Sequence, residues 1–111
     1  MADDTVSFEE FKRLDLRVAL VEKAELVAGT DKLVRLSLRL GAERRQIVAG
    51  VADQYTPDEL EGKRIVVVRN LQPRTVRGVE SQGMLLAAVE TSGKLALVTP
   101  DREVVDGSRV A

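Results

Sequence analysis

The run Val34-Arg-Leu-Ser-Leu-Arg-Leu40 alternates apolar and polar side chains at every step. A period of two is the signature of an extended strand with one face in a core, and it excludes an amphipathic helix at this place. A similar alternation precedes it. Leu14, Leu16, Val18 and Leu20 point one way, and Asp15, Arg17, Ala19 and Val21 point the other, which predicts a half-buried first strand. Gly41-Ala-Glu43 turns the chain into a third strand over Arg44 to Ala49, closed by Gly50. Ile65 to Val68 is a continuous β-branched run, as expected of a strand covered on both faces. Met84 to Val89 and Leu95 to Val98 follow as strands around a Thr91-Ser-Gly-Lys94 turn, and the tail from Pro100 has room for one last short strand.

Helical signals are brief. Ser7-Phe-Glu-Glu10 and Thr56-Pro-Asp-Glu59 both have capping-box form. The first predicts a helix over Ser7 to Arg13, with Phe8 and Phe11 docked on the body. The second carries Pro57 at the first helical position and ends by Gly62. Neither is long enough for a parallel crossover, so the sheet is expected to be antiparallel. The reading is therefore all-β: a five-stranded OB-fold barrel with a short N-terminal helix, a short helix between strands three and four, and a C-terminal extension. Composition alone equally allows a small SH3-like barrel.

With 111 residues, the chain is read as a single domain over 1–111. The absence of cysteine and histidine removes thiol nucleophiles, Ser-His-Asp triads and ordinary zinc sites. Acidic residues are scattered and glycines stand singly, so no calcium loop or phosphate-cradling loop is seen. Hence no catalytic residue, metal or cofactor is expected, and the chain is read as a non-enzyme. No apolar run approaches the roughly 20 residues that span a bilayer. Met1-Ala-Asp-Asp4 lacks the form of a secretory signal, and the lack of cysteine fits a cytoplasmic location. Net charge is −1, from 17 basic and 18 acidic residues, which argues against bulk neutralisation of nucleic acid but leaves room for a local basic patch.

Such a patch is visible in Asn70-Leu-Gln-Pro-Arg-Thr-Val-Arg-Gly-Val-Glu-Ser-Gln-Gly-Met84, which joins two apolar runs. Arg74 and Arg77 lie on this connection, and a guanidinium is a fork of donors shaped for phosphate oxygens. Lys32 follows the turn between the first two strands, at the same end of an OB barrel. Arg35 and Arg39 occupy the polar face of the second strand, and Arg44 or Arg45 opens the third. Arg69 and Asn70 end the fourth strand. Asp15 and Arg17 are read as partners of strand neighbours.

Taken together, several segments resemble the tRNA-binding domain family. They are Phe11-x-x-Leu14-Asp-Leu-Arg-Val18, Thr30-Asp-Lys-Leu33, Arg45-Gln-Ile-Val-Ala-Gly50, Gly62-Lys-Arg-Ile-Val-Val-Val68 and Asn70-Leu-x-Pro-Arg74 through Gly78-x-x-Ser81-x-Gly-Met84. That family includes the C-terminal appendage of bacterial methionyl-tRNA synthetases, free-standing structure-specific tRNA-binding proteins and eukaryotic synthetase-associated domains. The resemblance implies an OB-fold homodimer that binds tRNA by its folded shape, with no DNA or membrane partner. With the resemblance in view, Lys32, Arg35, Arg45, Arg69, Asn70, Arg74 and Arg77 are the candidate tRNA contacts from their chemistry and position. A solvated strand face is the other reading of Arg35 and Arg45, and turn formation that of Arg69 and Asn70. Ser81 and Met84 match a family segment implicated in RNA contact. Many members carry His-Pro where this chain has Val27-Ala28-Gly29-Thr30, which places it nearer the synthetase-appendage branch.

The residues support one part of this independently. Phe8, Phe11 and Tyr55 are the aromatics and none falls on a predicted strand, so there is no platform on which to stack single-stranded bases. Structured RNA held by backbone contacts fits better. The apolar excess in Leu85, Leu86, Val89, Leu95, Leu97 and Val98 is accounted for by a two-fold interface, to which Leu86, Val89, Leu95 and Leu97 are assigned, or by a covering tail. Two other readings stay open: a secretion-type protein chaperone on the same fold, and a purely dimerising appendage.

Overall fold

Antiparallel pairing around one long strand organises the computed structural model, which describes residues 4–111. The reading of the N-terminus as lacking a signal falls largely on residues 1–3, outside those described. Strand β1 (Leu16–Leu26) pairs with β2 (Val34–Leu40) on one side and β4 (Arg64–Val68) on the other. Beyond β2 lies β3 (Glu43–Ala49), and beyond β4 lies β7 (Met84–Leu85). A hairpin of β5 (Arg74–Val76) and β6 (Val79–Ser81) stands between β4 and β7 in sequence. A second hairpin joins β8 (Ala87–Val89) and β9 (Leu95–Leu97), and β10 (Arg109–Val110) adds to the start of β1. Helices α1 (Phe8–Lys12) and α2 (Pro57–Leu60) are both short. The result is an all-β, OB-like fold in which the main sheet curls into a half-barrel.

The curl brings β3 against the segment that follows β6. The Gln82 amide donates to the Gln46 carbonyl at 2.8 Å, and the Gln46 amide donates to Gln82 Oε1 at 3.0 Å. A β-bulge between Val21 and Lys23 interrupts the β1–β2 register, and bulges of this kind bend a strand. Gly83 sits where the chain crosses close to β4. Its φ is +146°, and a Cβ there would lie 2.8 Å from the Val68 carbonyl oxygen.

The interior is filled from β2 outward. Val34, Leu36, Leu38 and Leu40 point in and are buried, while Arg35, Ser37 and Arg39 point out, as the alternation dictates. Ile47, Ala49, Val51, Leu60, Ile65 and Val67 complete the cluster with Ala19, Val21 and Ala24. Fully burying each large aliphatic side chain contributes about 1.5–3 kcal/mol before entropy is counted.

Strand β1 corrects the sequence reading. Ala19 and Val21, set on its polar side, line the core, and Leu16 and Val18 on the opposite face are buried too. The register explains this. Ala19 lies opposite Ile65, and Leu16 and Val18 lie opposite Val68 and Val66, so β1 shares the two-sided burial of β4. Leu14 precedes the strand and is 48% exposed.

Both capping boxes form as read, with Ser7–Glu10 and Thr56–Glu59 bonded reciprocally. The docking of α1 does not hold. Phe8 is 71% and Phe11 39% exposed, and no residue of α1 is buried. The core closes without aromatic rings from this helix, and the Phe8 ring instead faces the Lys12 ammonium at 5.3 Å. The single strand expected over Met84 to Val89 is broken at Leu86. There the amide donates to Val66 and the carbonyl accepts from Val98, so the chain changes partner from β4 to β9. The last short strand exists as β10.

A buried carboxylate ties the tail to the sheet. Asp106, only 7% exposed, accepts from both Arg39 Nε and Nη2 and from the Gly41 amide at 2.8 Å. Replacing it leaves the Gly41 amide without that partner and removes one of the ties between the tail and the sheet. Asp106→Ala is expected to lower unfolding free energy by about 2 kcal/mol, read as a shift of the urea midpoint at unchanged m-value.

Candidate nucleic-acid interface

The connection after β4 is itself a built element. Arg74 pairs across from Ser81, Thr75 from Glu80 and Val76 from Val79, leaving Arg77 and Gly78 as a two-residue turn. Both have positive φ, 52° and 80°, the geometry that matches the twist of flanking strands. For Gly78 this is free of strain; for Arg77 it costs on the order of 1 kcal/mol. The outcome is a projecting arm with Arg77 at its tip and Arg74 at its base, both exposed.

Their electrostatic setting differs from that of most other arginines. Among the described residues, no carboxylate lies within 4.0 Å of Arg74, Arg77 or Lys32, and the same holds for Arg13, Lys63, Lys94 and Arg109. On the outer face of β2 and β3 the cations are matched: Arg35 with Glu25 at 2.7 Å, Arg39 with Asp106 at 3.1 Å, and Arg44 with Glu22 at 2.9 Å. The polar face of those strands is therefore a mixed surface rather than a basic one.

Four of the residues assigned from sequence are engaged by hydrogen bonds within the protein. Arg45 and Arg69 belong to a ladder of alternating charge. Arg17 Nε donates to Asp15 at 2.6 Å, Arg69 bonds Asp15 at 3.0 Å and Glu43 at 2.8 Å, and Arg45 bonds Glu43 at 2.6 Å. The Arg45 hydrogen bond holds the Glu43 carboxyl below the usual range despite partial burial, with Arg69 adding to it. Burial raises Asp15, but Arg17 and Arg69 together outweigh it and hold it low. Asn70 accepts from the Asp15 amide at 2.8 Å and donates to the Arg13 carbonyl at 2.7 Å, tying α1 to the end of β4. The Ser81 hydroxyl is buried; it accepts from the Val48 amide at 3.0 Å and donates to the Gly83 carbonyl at 3.2 Å.

The remaining assigned residues keep accessible surface. Lys32 is exposed on the β1–β2 turn, its amide capped by Thr30 Oγ1. Met84 is 45% exposed. Arg35 borders a groove of about 270 Å³ whose other walls are Leu26, Val27, Ala28 and Val79, so the β1–β2 turn and the arm meet across it. Of the residues assigned to a two-fold interface, Val89 is 66% exposed and Leu86 half-buried, while Leu95 and Leu97 are partly buried and pack against this chain's own core.

Sequence reading missed Glu43, Gln46 and Gln82. Glu43 and Arg45 are two apart on one strand and so share a face, a signal that was available. Gln46 donates to the Glu80 carbonyl at 2.9 Å, a contact that only the folded chain creates. No group of three carboxylates that could hold a metal occurs among the described residues, and no helix is long and apolar enough to cross a membrane.

Comparison with known proteins bears on this arrangement. Residues 16–109 match the family model described as a tRNA binding domain. The chain is 49% identical over 108 residues to the methionine–tRNA ligase of Caldanaerobacter subterraneus subsp. tengcongensis, covering 97% of this chain and 17% of that enzyme. It is 51% identical over 107 residues to the corresponding ligase of Archaeoglobus fulgidus, covering 96% and 16%. The chain thus spans about a sixth of the length of these curated relatives. Among solved structures, a MetRS-related protein from Pyrococcus horikoshii superposes with a TM-score of 0.93 at 44% identity, over 98% of this chain and 100% of that one. The chaperone CsaA of Bacillus anthracis str. Ames superposes with a TM-score of 0.87 at 31% identity, over 96% and 99%.

The ladder fixes a pH dependence. Asp15 and Glu43 have native pKa values below their ordinary 3.8 and 4.5, so the native state binds fewer protons than the unfolded one near pH 4. Their stabilisation is complete above about pH 5 and is lost as pH falls through the lowered native values. Urea unfolding from pH 7 to pH 3 should show this decline, and Glu43→Gln should make it shallower.

Proposed function

The chain belongs to the tRNA-binding domain family, and on that premise we propose that it holds folded tRNA by its sugar-phosphate backbone, without catalysing a reaction. The observation that carries the reading is the arm on which Arg74 and Arg77 are exposed with no carboxylate within 4.0 Å among the described residues, in a chain whose net charge is −1. Guanidiniums already bonded to carboxylates have little left for phosphate, so the unmatched ones set where RNA docks. Lys32 extends the contact toward the β1–β2 turn, and Arg35, held by Glu25, borders the groove beside it. Met84 offers an exposed thioether near the base of the arm. Arg45, Arg69, Asn70 and Ser81 act in this reading by shaping the surface.

Recognition is of shape. Tyr55 accepts a hydrogen bond from the Leu97 amide at 3.2 Å, and Phe8 and Phe11 lie on α1, so no strand presents a ring for base stacking. The domain, read as a single unit over 1–111, works in the cytoplasm as a homodimer with Val89 and Leu86 at the two-fold contact. Either appended to a methionyl-tRNA synthetase or free-standing, it presents two arms. Tethering strengthens a weak contact through effective concentration.

A chaperone role is the second reading, supported by the likeness to CsaA and by the exposed apolar Val6, Phe8 and Leu14. One experiment separates the two. Binding of folded tRNA, heat-unfolded tRNA fragments and a single-stranded oligomer is measured at two salt concentrations, for the parent and for Arg74→Ala/Arg77→Ala. Folded tRNA should bind best, and each lost phosphate contact should reduce the log–log salt slope by about 0.7–0.9. Equal binding by both proteins would remove the arm from the interface. Binding of unfolded polypeptide without RNA would favour the chaperone.

A further inference from the structure

We infer that Arg45 is a positioning residue for the RNA-binding arm, setting its angle by clamping both of its ends, with Glu43 as the anchor of the clamp. The inference rests on the tRNA-binding reading above and deepens it. The arm leaves the sheet after Arg69 and returns at Gln82. Arg45 Nη1 donates to the carbonyl of Arg69 at 2.8 Å and to that of Gln82 at 3.2 Å, so one nitrogen bridges departure and return. Its Nε donates to Glu43 Oε2 at 2.6 Å, which fixes the plane of the guanidinium. Glu43 Oε1 in turn accepts from Arg69 Nε at 2.8 Å, so the same carboxylate holds the side chain of the departing residue.

The return side is held by further bonds to β3. Gln46 reaches the carbonyl of Glu80, and the Val48 amide donates to Ser81. Those contacts fix the returning strand only. Arg45 couples it to the departing one, and the arm's orientation depends on the two together. Its side chain is 25% exposed, with Nε and Nη1 used internally and no hydrogen bond from Nη2 among the described residues. A fork that bridges two carbonyls and a carboxylate is geometry that a lysine ammonium does not reproduce.

The test is a mutant cycle on tRNA affinity with Arg45→Ala, Arg74→Ala/Arg77→Ala, the triple variant combining them, and Glu43→Gln. Arg102→Ala serves as a control for removal of one exposed charge elsewhere. Arg45→Ala should weaken binding about tenfold to a hundredfold, while the triple variant should bind no more weakly than the double. Glu43→Gln removes a negative charge beside the site and should still weaken binding, because the anchor is lost. Amide exchange of the free protein supplies a readout without RNA. Arg69 and Gln82 should lose protection in Arg45→Ala while Leu36 in β2 keeps it, showing that the fold persists.

A full Arg45→Ala effect persisting in the Arg74→Ala/Arg77→Ala background would mean a direct phosphate contact and would overturn the clamp. Tighter binding by Glu43→Gln would overturn it as well. Should Arg45→Ala fail to fold, Glu43→Gln and amide exchange decide. A parent that binds no folded tRNA, or a double variant that binds like the parent, would instead defeat the tRNA-binding reading itself, whatever the exchange data show.

Discussion

Two-sided burial of the β1–β4 pair is the constraint on which the rest of the structure depends. Leu16, Val18, Val66 and Val68 occupy one face, and Ala19, Val21, Ile65 and Val67 the other. A strand pair apolar on both sides cannot face water on either, so the chain must fold over it twice. The curled sheet through β2 and β3 encloses the inner face. The arm's position follows from this, because β4 must end at Val68 and the chain must then leave the sheet and come back to pair as β7.

Charge is distributed to the same end. Most arginines of the main sheet face a carboxylate: Arg17, Arg35, Arg39, Arg44, Arg45, Arg64 and Arg69 are each in an ion pair. Individually such pairs add little to stability where water reaches them. Each such pair sets a negative charge beside the positive one, whereas Arg74 and Arg77 on the arm have no carboxylate within 4.0 Å among the described residues. A chain of slightly negative net charge can therefore carry a basic feature at the arm.

Local rules read the sequence well where they did not depend on distant neighbours. The alternation in 34–40, both capping boxes, Pro57 at a helix start and the β-branched run before Arg69 each encode a conformation within a few residues. The failures share a cause. Ala19 and Val21 fall on the same phase of the alternation as Asp15 and Arg17, yet cross-strand pairing of Ala19 with Ile65 puts that face of β1 against the core. Phe8 and Phe11 lie three apart on one face of α1, as docking would require, but a one-turn helix held by Asn70 at its far end does not bring them to the interior. The arm looked like a loop because Pro73 and Gly78 mark turns equally well inside a hairpin.

Legible in the amino-acid order alone are the first four strands and both helices, the antiparallel character of the sheet, the lack of histidine and cysteine, and the position of Arg74 and Arg77 on a connection between apolar runs. These follow from periodicity, composition and turn chemistry, all local properties. Only the tertiary structure decided which basic residues remain available. Arg45 and Arg74 are indistinguishable as letters. One is held within the protein because folding brings Glu43, the Arg69 carbonyl and the Gln82 carbonyl around it, and the other stays exposed, with no carboxylate within 4.0 Å among the described residues. A guanidinium's role is set by what surrounds it, and those surroundings are assembled from segments far apart in the chain.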